Sequence, residues 1–354
     1  MLRTITSPEG VAEVEQERNI ASPRQGFSSR WVEWLPFRRA KPILGLDIGS
    51  HSIKVVVLVR RRSRIELKEA ALAETPPRAL TNGVLTDGLI LSERLRSLRA
   101  MFHLQTSRVA VAAGGDKVYC QADSVRDEEG DGFYAVVENA AQAVVPYPLA
   151  SAAFDYQEIH CDPDSSRRTV LWVSSAPEQV DWLRQTVSLA GMTPVVVDVE
   201  ACALANTFAY NYQPSANEIS LLVHAGARHV TIALLRGESL VYSRGVLIGR
   251  RWMMAHESPA LADRLALELD RHWDELNEYA RPGGLRSLYL SGGPARDPAL
   301  AEALGRHAGL RAEVLDPFHR IDYITSTEAG RIAGSHGPAL AVAVGLALRS
   351  FTDL

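Results

Sequence analysis

Ile43-Leu44-Gly45-Leu46-Asp47-Ile48-Gly49-Ser50-His51-Ser52-Ile53-Lys54-Val55-Val56-Val57-Leu58 reads as an apolar strand, a tight polar turn and a second apolar strand. The β-branched runs on either side suit a pleated, buried surface. Gly49 allows a sharp bend and a close ligand approach. Successive N–H groups in such a turn can cradle a phosphate. Ser50 and Ser52 add hydroxyl donors, Lys54 adds a cation, and Asp47 can hold a hydrated divalent metal beside the phosphate. Taken alone, the same stretch also reads as an ordinary hairpin with a polar tip.

Two later stretches give it context. Ile219 to Leu235 repeats the strand, glycine turn and strand around His224-Ala225-Gly226-Ala227-Arg228-His229. Leu288-Tyr289-Leu290-Ser291-Gly292-Gly293-Pro294 is a strand running into a Gly-Gly turn and a helix. Two hairpins followed by a strand, a Gly-Gly turn and a helix is the order of the actin/Hsp70/sugar-kinase fold. In that fold the hairpins grip phosphates from two sides and the Gly-Gly turn backs the adenosine. Two similar β-rich halves leave a cleft between them, which is where ligands gather.

Working outward, the 354 residues suffice for two domains of ordinary size. The 46% hydrophobic and 23% charged content places the chain among globular proteins. A net charge of −4 argues against general nucleic-acid binding. Cys120, Cys161 and Cys202 are too scattered for a disulfide framework or a zinc spacing, and suit a reducing compartment. No secretion signal is expected at the start, and no run long and apolar enough to cross a bilayer.

The expected organisation is a disordered leader over 1–41, a first lobe from 42–115 and 169–205, and an inserted α/β subdomain over 116–168. A second lobe over 206–336 and a closing helix over 337–354 complete it. Thr169 to Ser174 is expected to resume the first-lobe core, and 316–336 to be irregular. The leader ends in Arg30-Trp31-Val32-Glu33-Trp34-Leu35-Pro36-Phe37-Arg38-Arg39, aromatic beside basic. That pattern suits a membrane interface, a partner's groove, or a cover for the first strand's edge. The ten histidines show no ligand pair at helical spacing and read as structural. Neither a Walker lysine turn nor a nucleophile elbow is present.

Gly45-Leu46-Asp47-Ile48-Gly49-Ser50, Val144-Val145-Pro146-Tyr147-Pro148-Leu149, Phe154-Asp155-Tyr156 and Val195-Val196-Val197-Asp198-Val199-Glu200-Ala201 appear in that order, followed by Leu290-Ser291-Gly292-Gly293 and Asp316-Pro317-Phe318. Together they resemble the PilM family of type IV pilus assembly proteins, the FtsA-like branch of the actin fold. The resemblance implies a two-lobed actin-like ATPase fold, that is, duplicated ribonuclease-H-like domains with a small inserted α/β subdomain in the first lobe. It implies ATP and Mg2+ as cofactors, with Asp47, Gly49, Ser50, Ser52 and Lys54 as the first phosphate loop and Asp47 at the metal. Gly226 falls in the second loop, and Ser291, Gly292 and Gly293 fall behind the adenosine. Glu200 either faces the phosphates or is a helix-start acid favoured by the dipole.

The resemblance also implies a cytoplasmic scaffold under the inner membrane that binds the N-terminal tail of a PilN-like protein. Between the first-half core and the insert, Tyr147, Phe154 and Tyr156 are the expected partner contacts. Two departures weaken the nucleotide site. His224 stands where relatives carry an acid, and a neutral imidazole is a poor ligand for magnesium. The segment after Gly249 is also short where relatives wall the base. The alternatives are a small-molecule kinase of the same fold, which needs a general base the sequence does not mark, and a related secretion-system scaffold. The leader's Trp34-Leu35-Pro36-Phe37-Arg38 is similar to the tails this family binds and is a candidate for self-occupancy of the groove.

Overall fold

Val55, Val56, Val57 and Leu58 are all buried, so their strand lies within a sheet covered on both faces. The computed structural model describes residues 42–81, 84–101, 106–126, 132–162, 166–248 and 258–351. The leader with its tryptophans, the segment 127–131 and the short segment 249–257 lie outside the described residues.

The first half runs β1 (Leu44–Ile48), β2 (Ser52–Arg61), β3 (Arg64–Glu74), β4 (Leu80–Thr81), β5 (Val84–Leu85), α1 (Gly88–Met101) and β6 (Arg108–Ala113). The insert follows as β7 (Val118–Arg126), α2 (Gly132–Gln142), β8 (Ala153–Asp162) and β9 (Arg167–Ser175). Next come α3 (Pro177–Leu189), β10 (Thr193–Val199) and the connecting helix α4 (Glu200–Tyr212). The second half has β11 (Ile219–Ala225), β12 (His229–Arg236), β13 (Ser239–Leu247), α5 (Ser258–Tyr279), β14 (Ser287–Gly292), α6 (Pro298–Ala308) and β15 (Ala312–Val314). The chain closes with α7 (Glu328–His336) and α8 (Ala341–Leu348).

The duplication is explicit in the topology. β3-β2-β1-β6-β10 forms one sheet, and β13-β12-β11-β14-β15 repeats that order within the other. In each, an antiparallel meander is extended by parallel strands. Helix α4 passes between the halves, and α8 presses against it and β1 without a gap. A Cβ on Gly345 would sit 1.8 Å from Ala203 O, and one on Gly45 would sit 2.0 Å from Ala343 O.

Two stretches pack away from where the sequence reading puts them. β9, which contains Thr169 to Ser174, does not rejoin the first-lobe sheet. It pairs with β7 and β8, and β7 pairs with β13, so the insert extends the second half's sheet to eight strands. An apolar run buried on both sides satisfies either sheet, and local sequence does not choose between them. Residues 316–336, expected in the second lobe and irregular, pack on β3. Asp322 N donates to Ile65 O, Leu67 N donates to Asp322 O, and α7 joins the cluster built on Ile65 and Leu67.

Contrary to the sequence expectation, the 24-residue run Glu328–Phe351 is long and apolar enough to cross a membrane by length and composition. In the fold 67% of its apolar window is buried, so it serves as core.

Candidate functional site

Both hairpin turns are closed by one device. Gly49 N donates to Ser52 O at 3.1 Å, and Gly226 N donates to His229 O at 3.0 Å. The first turn is anchored from outside by Thr75, whose hydroxyl donates to Gly49 O at 2.6 Å. Lys54 Nζ lies 2.9 Å from Asp47 Oδ2, an ion pair with both side chains mostly buried. Among the described residues that oxygen has no further hydrogen-bond partner. Ser50 and Ser52 are half-buried at the bend.

The second turn faces Glu200, the first residue of α4. Glu200 is 8% exposed. Its Oε2 accepts from the Thr231 hydroxyl at 2.6 Å and lies 3.0 Å from His229 Nε2. His224 Nε2 approaches Oε1 at 3.8 Å, while its Nδ1 pairs with Ser291 Oγ at 2.9 Å. Burial alone would raise the Glu200 carboxyl. The His229 imidazole, with His224 and the Thr231 hydroxyl behind it, outweighs burial and holds the group far below the usual carboxylate range. Burial keeps His224 neutral by lowering it, against the pull of Glu200. For His229 burial also works downward, but the adjacent Glu200 carboxylate wins and raises it. In the tautomer that carries its proton on Nε2, toward Glu200, His224 accepts a hydrogen bond from the Ser291 hydroxyl at Nδ1.

Sequence reading missed His229 and Thr231 as partners of Glu200. Their signal was strand parity, since residues two apart on β12 share a face and His224 lies opposite Thr231 in register. A search at helical spacing passes over that pattern. Gly114 also bears on the clamp, at the end of β6 where the chain enters the insert. A Cβ there would sit 2.7 Å from Glu200 Oε2, so only glycine lets the carboxylate dock. Gly292, at φ +98°, presses against Ala225 at the head of the second turn, whereas Gly293 opens on free space. Ser291 points at His224, not into that space. Asp198 is occupied elsewhere, as Arg349 donates to its Oδ2 at 2.8 and 2.6 Å.

The donors in this cleft do not fit a resident magnesium ion. Asp47 is paired with Lys54, Glu200 is held by His229 and the Thr231 hydroxyl, and His224 beside them is a neutral imidazole. Among the described residues no group of three or more His, Cys, Asp or Glu is placed to hold a metal.

The expected partner residues divide. Phe154 and Tyr156 stand on the face of β8 that carries α2, edge-on or tilted to Phe133 and Tyr134 at about 6 Å. Tyr147 packs instead on Tyr119, and its hydroxyl donates to Lys117 O at 3.0 Å and meets Ser174 Oγ at 3.1 Å. Burial pushes the Tyr147 hydroxyl up to about 12. The opposite sheet face, with Cys120, Ala122, Ala153, Leu171 and Val173, joins the first-lobe core. Phe154 and Tyr156 therefore look away from the first lobe, not into a groove beside it. The reason is strand alternation: Ala153 turns inward, which turns Phe154 outward.

Two halves of one topology, joined by a buried helix, setting their glycine turns beside a buried cluster of charged and polar side chains and carrying an inserted subdomain, define an actin-like ATPase fold. Within that fold the chain belongs to the type IV pilus assembly protein PilM family, whose model matches residues 45–254, more than half of its length. It is similar to a solved PilM-PilN type IV pilus biogenesis complex at 21% identity and TM-score 0.75, over 89% of this chain and 100% of that one. A weaker likeness links it to the ethanolamine utilization protein EutJ of Carboxydothermus hydrogenoformans, with 14% identity, TM-score 0.46 and 87% and 89% of the two chains covered. Another is to the cytoplasmic domain of EpsL, from the Vibrio cholerae type II secretion system, with 10% identity, TM-score 0.45 and 84% and 94% covered.

Proposed function

We propose that this pilus assembly protein is a recruiting scaffold that holds the N-terminal tail of a PilN-like inner-membrane protein on its inserted subdomain and does not turn over nucleotide. The observation that carries the reading is β8. It is the end strand of the eight-stranded sheet, and beside it Phe154, Tyr156 and the 47%-exposed Tyr134 form an aromatic face. Among the described residues no strand pairs with the outer edge of β8, so an extended tail can add there as a further strand, and the rings give leucine and aromatic side chains a surface to bury against. Glu158 on the same strand offers a carboxylate to a tail arginine, although Arg168 now lies 3.4 Å from it. The protein is then peripheral at the inner membrane through its partner.

The cleft supports the second clause. A phosphate loop works by presenting uncompensated positive charge and a metal-binding carboxylate. Here Lys54 is committed to Asp47, and Glu200 is committed to His229 and Thr231. Mg-ATP affinity is accordingly weak, and neither carboxylate is free to act as the general base that a kinase needs.

Capture of a synthetic partner tail by the immobilised full chain tests the scaffold. Phe154→Ala and Tyr156→Ala should each weaken capture by roughly tenfold, as central aromatic anchors do. Equal capture by both variants and the parent moves the site off β8.

A further inference from the structure

A second surface lies at the far end of the first lobe. The β2–β3 hairpin tip reads Arg60-Arg61-Arg62-Ser63-Arg64, four arginines in five positions on a chain whose net charge is −4. All five residues are exposed, and Arg62 sits at the bend with φ +55°. Arg61 reaches Glu66 at 3.1 Å and Arg64 reaches Asp322 at 3.2 Å. Arg60 and Arg62 have no carboxylate partner among the described residues, and the Arg60 guanidinium lies over the Phe351 ring at 5.2 Å. Arg320 adds a further cation over the Tyr210 ring at 6.0 Å, and Arg60 and Asp322 act on the same tyrosine hydroxyl.

Apolar groups sit among these charges. Directly after Asp322, Tyr323 is 37% exposed and Ile324 is 67% exposed. The tip is separated from the Gly49 turn by the ten residues of β2, roughly 30 Å of extended chain. It therefore belongs to neither the cleft nor the β8 face.

We propose that this end of the first lobe docks directly on an anionic phospholipid surface. Arginine suits the task, because its weakly hydrated planar head engages lipid phosphates in pairs of hydrogen bonds. The stems of such side chains lie along apolar surface while their heads stay at the phosphate level. Exposed Ile324 and Tyr323 supply the shallow apolar contact that distinguishes a lipid interface from a purely electrostatic site. A nucleic-acid site would show bases' stacking partners along a basic groove, whereas this patch is a convex hairpin tip with an aliphatic flank. The proposal is independent of the partner-tail reading.

The test is sedimentation of the purified full chain with vesicles, without any partner. The parent should bind vesicles of phosphatidylglycerol with phosphatidylcholine, ignore vesicles of phosphatidylcholine alone, and release in high salt. Each basic side chain at an anionic surface strengthens binding about fivefold. The combined variant Arg60→Ser, Arg61→Ser, Arg62→Ser and Arg64→Ser should therefore bind roughly several-hundredfold more weakly. Its thermal melt should match the parent's, since all four side chains are exposed. Ile324→Ser should weaken binding by about threefold or more. Deleting residues 1–40 controls for the basic, aromatic leader and should leave most of the affinity. The proposal is overturned if the parent ignores anionic vesicles, if the four-arginine variant binds as the parent does, or if a soluble polyanion such as heparin binds while vesicles do not.

Discussion

The two hairpin turns share a backbone and differ in what they carry. Each is closed by a glycine N–H reaching the carbonyl three residues on, at 3.1 Å in the first and 3.0 Å in the second. The first bears a carboxylate–ammonium pair, Asp47 with Lys54. The second bears two imidazoles turned onto a carboxylate from the connecting helix. Backbone geometry set by glycine survived the duplication, while the side chains were free to diverge. The outcome is a cleft whose charges satisfy one another. An actin-like chain can thus keep the architecture of a phosphate site and pair its polar groups with one another.

The glycines give the sharpest way to break that comparison. Gly292 combines φ +98° with a Cβ position 2.1 Å from Ala225 O, so Gly292→Ala should cost about 3 kcal/mol or more. Gly293, with nothing within 4 Å of its Cβ position, should accept alanine within about 0.5 kcal/mol. At the first turn, Gly49→Ala meets Ser52 O at 2.9 Å and the movable Lys54 Nζ at 2.8 Å, and should fall between them at about 1–2 kcal/mol. Urea denaturation of the three variants reads the order directly, and an equal cost for Gly292 and Gly293 would remove the claim that the second turn is held by backbone contact.

The next effect concerns His224, the imidazole that stands where the family resemblance implies an acid. His224→Asp places a second carboxylate beside Glu200, where His224 Nε2 now stands 3.8 Å away. Without ligand the variant should melt below the parent at neutral pH, because two close buried carboxylates repel. Mg-ATP should restore it, by roughly 2.7 kcal/mol at a hundred times its dissociation constant, while the parent's melt should hardly move. A parent that responds as strongly as the variant would show that His224 does not weaken the site.

Much of this was legible before any coordinates, for a physical reason. Glycine turns between β-branched runs are local signals, so Gly49, Gly226 and Gly292 mark their bends from sequence. The Glu200 clamp is not local. It needs the register that sets His224 against Thr231, and then the packing that brings β12 onto the N-terminus of α4. Helix α7 was hidden by composition, since Gly330 and Gly334 are poor helix formers. The structure explains one of them. A Cβ on Gly330 would sit 2.0 Å from Ile324 O, while Thr327 caps the helix by accepting from Gly330 N at 3.0 Å. The docking of β7 on β13 was likewise invisible, because the free edge it fills is created by the fold of the second half.

The smallest expected effect, and the most diagnostic, is the pH dependence of the clamp. Glu200 is held far below the ordinary 4.5, so it stays ionised throughout the range above that value. His229 is raised above 6.5 in the folded chain by burial overcome by the same carboxylate. The proton it binds more tightly when folded stabilises fully below pH 6.5, and that gain is lost as pH rises through the higher folded value. His224 is shifted the other way, so its protonation on acidification opposes folding, with Asp47 and Lys54 acting on both rings. His229→Gln keeps a hydrogen-bond donor toward Glu200 but cannot take the charge. The parent should therefore exceed this variant by about 1.5 kcal/mol near pH 6, with the gap closing toward pH 9. His229 also helps to lower His224, so the variant eases the protonation of His224 and the gap narrows on the acid side of pH 6. Urea midpoints at several pH values measure the gap, and a difference that stays constant across the range would mean that His229 holds Glu200 as a neutral donor and that no charge is shared between the second turn and the connecting helix.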